Sequence, residues 1–452
     1  FSSYPWHHGQ GNTMINKYLS SGAHLKGKKL ISSEELTNTA MVFNESLEIF
    51  KIAGDQSTLS GVTHPIFHGF NYSPPNAAFP GWITYGGYLN EKNTMWPYFK
   101  NYTDYRARIS ALLQQATMFA EIAVLPPTTD LWSIYGAQNE PFPTVVHPAY
   151  QMLVWEAMHQ NGSSCDYVSE QVIQDSGTQK GFMTYGERKY HTLFLIEVES
   201  IGVETARKLA DFVANGGRVF CIEKYPDKSS GWFNYKQRDL EVKEVISKLK
   251  KQENQFVLLK KPESNFMDWY KQIQEQYNIA SYVSIKEPNH FIKQIRYQTK
   301  DAEILFFSNA SSTQSYTYEV TISSAISAGK QAWIWDPISG ERYKLVSNNG
   351  TVVLQFGPAD SKLLLFDTDT DGTVFKPVLV GNTKELNFSD NWSVTMQHFN
   401  GTTKNVQFSS LSDLKDIPEY THFSGTVLYK KKIDISDVNA LSYLNIGKVY
   451  GI

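Results

Sequence analysis

The chain has 452 residues, of which 41% are hydrophobic, 14% aromatic and 19% charged, and 42 Lys and Arg against 45 Asp and Glu give a net charge of −3. At about 150 residues per domain, that length argues for roughly three domains with separate cores. The near-neutral balance lacks the basic face of a nucleic-acid binder, no apolar run is long enough to span a bilayer, and two cysteines cannot build a disulfide framework or a cysteine zinc site.

The sequence opens at Phe1 without an initiator methionine and stops inside the alternating strand Leu444–Ile452, so it reads as an internal piece of a longer protein. Lys29–Ser33 reads as a short strand, Thr37–Lys51 as a helix with Phe43, Leu47 and Phe50 on one face, and Val62–Phe67 as the next strand. A long Pro/Gly/aromatic loop, Asn71–Tyr102, precedes a helix at Asp104–Phe119 and a strand at Glu121–Leu125. Strand and helix in alternation imply a parallel sheet or barrel, and a loop of that length usually carries function. A second α/β unit follows: strand Thr192–Val198, amphipathic helix Val203–Ala214, the C-cap Asn215-Gly-Gly217 and strand Arg218–Ile222, a βαβ crossover without a dinucleotide fingerprint. After the helix Phe266–Tyr277 the pattern turns all-β, with strands at Ile304–Ser308, Tyr316–Ile322, Gln331–Trp335, Thr351–Phe356 and Ser361–Phe366. The acidic linker Asp367–Gly372 leads into a second β domain.

Ser32-Ser-Glu-Glu35 is the strongest local signal, two carboxylates at the end of a strand. In a β/α barrel such an acid faces ligand and can serve as acid, base or metal ligand; alternatively, Glu34 and Glu35 only favour a helix N-terminus. Adjacent acids point in different directions, so at most one is catalytic. His64-Pro-Ile-Phe-His-Gly-Phe-Asn-Tyr-Ser-Pro-Pro75 ends another strand and puts His68, Asn71 and Tyr72 at the same rim; a buried, bonded His68 is the competing reading. The loop beyond it holds Trp82, Tyr85, Tyr88, Trp96 and Tyr98, either a mini-core or a sugar platform. Asp130 follows the strand Glu121–Leu125 on the ligand face, whereas Asp55, in a loop after a helix, reads as structural. His147 and His159 show no metal-ligand spacing, and no serine-hydrolase or P-loop pattern is present.

Ser20–Thr37 resembles the "SxAHxxGKxxVSxExxT" segment of large bacterial glycoside hydrolases related to family 106, the α-L-rhamnosidases. The likeness continues through Gly54-Asp-Gln56, His64–Pro75, Phe79–Trp82, Asn93–Pro97, Tyr105-Arg-Ala-Arg108, Ala123–Pro126, His159–Gly162 and Asp166–Glu170. The last β segment is similar to the sugar-binding jelly roll of family 2 glycosidases. The resemblance implies a multidomain α/β plus β protein: the C-terminal part of a (β/α)8 catalytic barrel over 1–150, a flavodoxin-like α/β domain over 151–265, a β-sandwich over 290–368 and a galactose-binding-like jelly roll over 373–452. It implies an inverting exo-glycosidase acting on plant-type oligo- or polysaccharides, with Glu34 as general base and the acid upstream of Phe1. It also implies His24, His68 and Asn71 as substrate-subsite residues, calcium held largely by residues outside this chain, and a periplasmic or extracellular location; Glu35, Tyr72, Trp82, Trp96 and Asp130 join them as substrate-binding candidates on the reading of the strand ends and the aromatic loop. The rivals are a non-catalytic carbohydrate-binding protein on a degenerate barrel and a pure scaffold, which would turn the aromatic loop inward.

Overall fold

The computed structural model describes residues 10–37, 45–78, 80–82, 86–136, 148–348, 350–376 and 386–434, and the chain divides into two compact units, Phe1–Phe375 and Lys376–Val449. Among the described residues no helix is long and apolar enough to cross a membrane.

The first unit is organised by two large sheets. One is parallel and five-stranded, in the spatial order Phe256–Leu259, Arg218–Ile222, Thr192–Ile196, Ile122–Leu125, Cys165–Tyr167. Numbered along the chain, this is the 2-1-3-4-5 order of a flavodoxin-like doubly wound sheet. Apart from Asp166 on the edge strand, its strands are largely apolar runs, as Thr-Leu-Phe-Leu-Ile196 shows, because helices cover both sides and a buried core lies on each. The crossover from Thr192 to Ile222 forms as its pattern predicts. Gly217 is required there, since a Cβ would stand 2.2 Å from the Phe212 ring. The sheet also corrects the division at residue 150. Ile122–Leu125, assigned to a barrel, lies inside this sheet between Cys165–Tyr167 and Thr192–Ile196, because four buried apolar residues need cover on both faces.

The other large sheet is antiparallel and six-stranded: Arg342–Lys344, Gln331–Trp335, Ser361–Asp367, Glu303–Asn309, Ile292–Gln298 and Thr117–Met118 in spatial order. One face packs with a three-stranded sheet (Val283–Ile285, Tyr316–Ile322, Thr351–Phe356) around Leu305, Phe307, Val320, Leu354 and Phe366, a β-sandwich as the alternation predicts. Its opposite face is covered too. Ile295, Tyr297, Phe306 and Trp333 pack against Phe50, Tyr102, Ile109 and Leu113 of the N-terminal region, which is why Glu303–Asn309 is buried at every position.

That N-terminal region comprises helix α1 (Gln10–Leu25), strand β1 (Ser32–Glu35), helix α2 (Leu47–Leu59), strand β2 (His64–Phe67) and helix α3 (Trp96–Leu113). β1 and β2 are parallel, with Glu34 opposite Ile66 and Glu35 opposite Phe67; among the described residues, these two strands alone form the sheet read as part of a barrel. Three expectations shift. The first strand comes later than Lys29–Ser33, so Glu34 and Glu35 lie within it rather than at a helix start. Helix α2 begins at Leu47, capped by the Ser46 hydroxyl, and Gly54, Asp55 and Gln56 fall inside it. Helix α3 begins at Trp96 with Pro97 in its first turn, where proline lacks no needed N–H, and it ends at Leu113 rather than Phe119. Phe43 lies outside the described residues.

In the second unit Thr403–Ser410, Asp390–His398 and Gly425–Lys430 form a three-stranded antiparallel sheet over Val394, Met396 and Tyr420.

The junction between the two large sheets holds a buried acid. Glu121 precedes the strand Ile122–Leu125, and its carboxylate accepts the Ser164 N–H at 3.1 Å. Burial raises its pKa from 4.5 to about 8 against the pull of Arg296. A carboxyl with a higher pKa folded than unfolded stabilises the fold below about 4.5 and loses that contribution as pH rises through about 8. Glu121→Gln stays neutral throughout. Relative to the parent it should therefore gain roughly 1–4 kcal/mol between pH 5 and pH 8 in urea unfolding titrations.

Candidate active site

Side chains alternate along an extended strand, and β1 uses this to send two consecutive acids to opposite sides. Glu34 faces outward with 51% of its side chain exposed, beside His68 at 37%, which directly follows β2. Its Oε1 accepts the Thr37 hydroxyl and lies 3.1 Å from His68 Nδ1; His68 Nδ1 is 2.9 Å from Thr37 Oγ1. The donor count assigns the ring. Thr37 has one O–H, given to Glu34, and an ionised carboxylate only accepts, so His68 Nδ1 carries the proton. The Thr37 hydrogen bond and then the neighbouring His68 outweigh desolvation and hold the Glu34 carboxyl below its ordinary pKa. Leu36 makes the closure possible: it is fully buried with φ 65°, a left-handed turn that brings Thr37 back over Glu34.

Glu35 points the other way. Its side chain is 1% exposed and pairs at 2.7 Å with Arg106, itself 3% exposed. Burial raises its pKa against the opposing guanidinium. The expectation of a substrate contact from Glu35 is thus corrected, because solvent does not reach it. The Asp55 expectation of a structural role fits. Asp55 accepts from Lys51 (2.8 Å), the Tyr105 hydroxyl (2.6 Å) and Ser308 (3.0 Å), joining α2 and α3 to the sandwich.

The loop after β2 divides its residues between display and support. Tyr72 and Trp82 are 66% and 67% exposed. Asn71 instead takes the Leu89 N–H on its side chain (2.9 Å) and the Asn90 amide on its carbonyl (2.9 Å), while Trp96, at the start of α3, meets Phe70 of the loop edge-on with ring centroids 5.7 Å apart. Asn71 and Trp96 therefore hold the loop together, so the mini-core and the displayed aromatics coexist; Tyr85 lies outside the described residues.

Two further candidates are internal. His24, 3% exposed on α1, meets Asp166 at 2.6 Å, and Asp166 also accepts the Tyr190 hydroxyl at 2.8 Å. Burial opposes the Asp166 charge, but His24, its hydrogen bond and Lys17 outweigh it and lower the pKa. Asp130 is buried and accepts the backbone N–H groups of Glu199 (2.9 Å) and Ser200 (3.2 Å). His24 thus ties α1 to the edge strand of the α/β layer, Asp130 ties backbone within that layer, and neither is displayed to solvent as the substrate expectation requires. Among the described residues no three His, Cys, Asp or Glu side chains gather as a candidate cation site. Thr37 and Arg106 escaped the sequence reading, although both lie in the quoted motifs; neither residue type signals a role until its partner is known.

The sequence pattern of glycoside hydrolase family 106, described as alpha-L-rhamnosidase, matches residues 8–348. The chain belongs to that family. It is 26% identical over 337 residues to a protein of Formosa agariphila named "Putative beta-glucuronidase", a match covering 72% of this chain and 25% of that protein. In fold it resembles the rhamnosidase from Novosphingobium sp. PP1Y, with a TM-score of 0.63 and 18% identity over 92% of this chain and 39% of the other. A weaker likeness, TM-score 0.50 and 10% identity, joins it to a beta-galactosidase from Bacillus circulans sp. alkalophilus over 79% of this chain and 58% of that one. The chain thus spans less than two thirds of the length of each.

Removing the Thr37 hydroxyl in Thr37→Val should raise the Glu34 titration midpoint into the ordinary carboxylate range. Carboxyl ¹³C NMR, with the resonance assigned by its loss in Glu34→Gln, reads this directly.

Proposed function

We propose that this chain supplies the general-base side of an inverting, α-L-rhamnosidase-like exo-glycosidase acting on plant-type oligo- or polysaccharides outside the cytoplasm. One observation carries the reading: Glu34, at the carboxyl end of a parallel strand pair, is exposed and held in a fixed orientation by contacts to Thr37 and His68. Inversion needs such a carboxylate to take a proton from water as that water attacks the anomeric carbon. A protonated carboxyl about 6.5–9.5 Å away, across the sugar, gives its proton to the leaving oxygen. Glu35 cannot be that acid, since it is buried behind β1 against Arg106. The chain spans 39% of the Novosphingobium rhamnosidase, and we place the acid in the remainder of a protein of that length.

His68 orients the base through Nδ1–H, and Thr37 fixes its second contact. The exposed Tyr72 and Trp82 fit the flat apolar face of a sugar ring.

The test uses the full-length protein on a panel that includes aryl α-L-rhamnosides and aryl β-D-glucuronides. Glu34→Gln should lower kcat by about 10²–10⁴-fold with substrate binding retained, and ¹H NMR of the first product should show the inverted anomer. Unchanged activity in Glu34→Gln rejects the base assignment, and retained configuration rejects the inverting mechanism. Oligosaccharide binding without cleavage by the parent protein points to the binding-protein alternative.

A further inference from the structure

Glu34 sits on a strand that has little of its own to hold it. β1 is four residues long and, among the described residues, pairs only with β2. Short two-stranded pairs specify their register weakly, and a slip of one residue would exchange the faces of Glu34 and Glu35. Something other than the ladder must decide which glutamate looks out.

The buried pair behind the strand has the geometry for that decision. Arg106 Nη2 donates to Glu35 Oε1 at 2.7 Å, while its Nη1 donates to the Gly54 carbonyl at 2.8 Å and to Thr58 Oγ1 at 2.6 Å. One guanidinium therefore ties β1 to α2 and α3. The helix makes room for it: a Cβ at Gly54 would lie 3.1 Å from Arg106 Nε and 2.6 Å from the Tyr102 hydroxyl. A buried ion pair adds little net stability over apolar residues of the same shape, but it punishes any arrangement that leaves one member alone. In the observed register Glu35 meets Arg106; a slip in one direction sets Leu36 before Arg106 and leaves the guanidinium without a carboxylate, and a slip in the other gives it Glu34 but carries Glu35 into the fully buried place of Leu36.

We propose that Arg106, acting through Glu35, is the positioning residue for Glu34: the buried pair fixes the face and register of β1 and with them the Glu34–Thr37–His68 contacts. The functional meaning rests on Glu34 being the site carboxylate, whereas the geometric claim stands without it. Positioning separates the two adjacent acids into one that meets solvent and one that anchors.

The test is run on the 452-residue chain, so that it does not depend on activity. Arg106→Lys keeps the charge but loses the fork, and Glu35→Gln keeps the shape but loses the charge. Glu156→Gln breaks a comparably buried pair, Lys293–Glu156 at 2.7 Å, which touches neither β1 nor β2, and serves as the control. Arg106→Lys and Glu35→Gln should both move the Glu34 carboxyl ¹³C midpoint up into the ordinary range, because the Thr37 and His68 contacts loosen, and Glu156→Gln should leave it in place. An unmoved midpoint in the folded Arg106→Lys and Glu35→Gln variants overturns the proposal, as does an equal shift in Glu156→Gln, which would mean general loosening. Should Arg106→Lys fail to fold, the near-isosteric Glu35→Gln decides alone. If full-length Glu34→Gln stays active, the catalytic reading falls while this titration still decides the positioning.

Discussion

The structure around the candidate site depends on a two-residue repeat meeting a dielectric boundary. β1 places Glu34 on the water side and Glu35 on the protein side, and every electrostatic property of the pair follows from that difference. Outside, hydrogen bonds to the charged form prevail and Glu34 stays ionised; inside, desolvation opposes the charge of Glu35, and Arg106 compensates it. The same residue type, repeated, is an exposed carboxylate in one position and a buried anchor in the next.

The anchor is firm because it continues into the sandwich. Arg106 crosses α2 at Gly54, the neighbouring Asp55 collects Lys51, Tyr105 and Ser308, and Tyr105 also meets Ser361 at 2.7 Å. Ser308 and Ser361 lie on paired strands of the six-stranded sheet, whose far face is the sandwich core. This sheet is thus a floor shared by two cores, and the polar chain crosses from the helices onto it. The α/β layer is tied in separately: His24 on α1 meets Asp166 on its edge strand, and Thr117–Met118 extends the six-stranded sheet just before Ile122–Leu125 enters the parallel one.

Chemically, the exposed carboxylate and its two partners form a compact unit in which His68 donates, Thr37 both donates and accepts, and Glu34 only accepts. Such a unit suits drawing a proton from water better than giving one to a leaving group, since a general acid must hold its proton near neutral pH.

Patterns that depend on near neighbours were legible from the residues alone. The crossover Thr192–Ile222 and the sandwich strands Tyr316–Ile322, Gln331–Trp335 and Thr351–Phe356 stand where periodicity and turn residues put them, because local propensity and burial agree there. The motifs around Glu34, Gly54, Asp55, Arg106 and Asp166 were visible as a set, and so was the rule that adjacent acids diverge. What tertiary structure decided was which way each one faced. Spacing could not tell that Ile122–Leu125 joins the flavodoxin-like sheet, that His24 and Asp130 serve backbone and buried partners, or that Glu35 meets Arg106, 71 residues away. A charged side chain carries no local sign of its partner. Its role is set by the partner and the burial that folding supplies, and for Glu34 and Glu35 that is the difference between a site and its support.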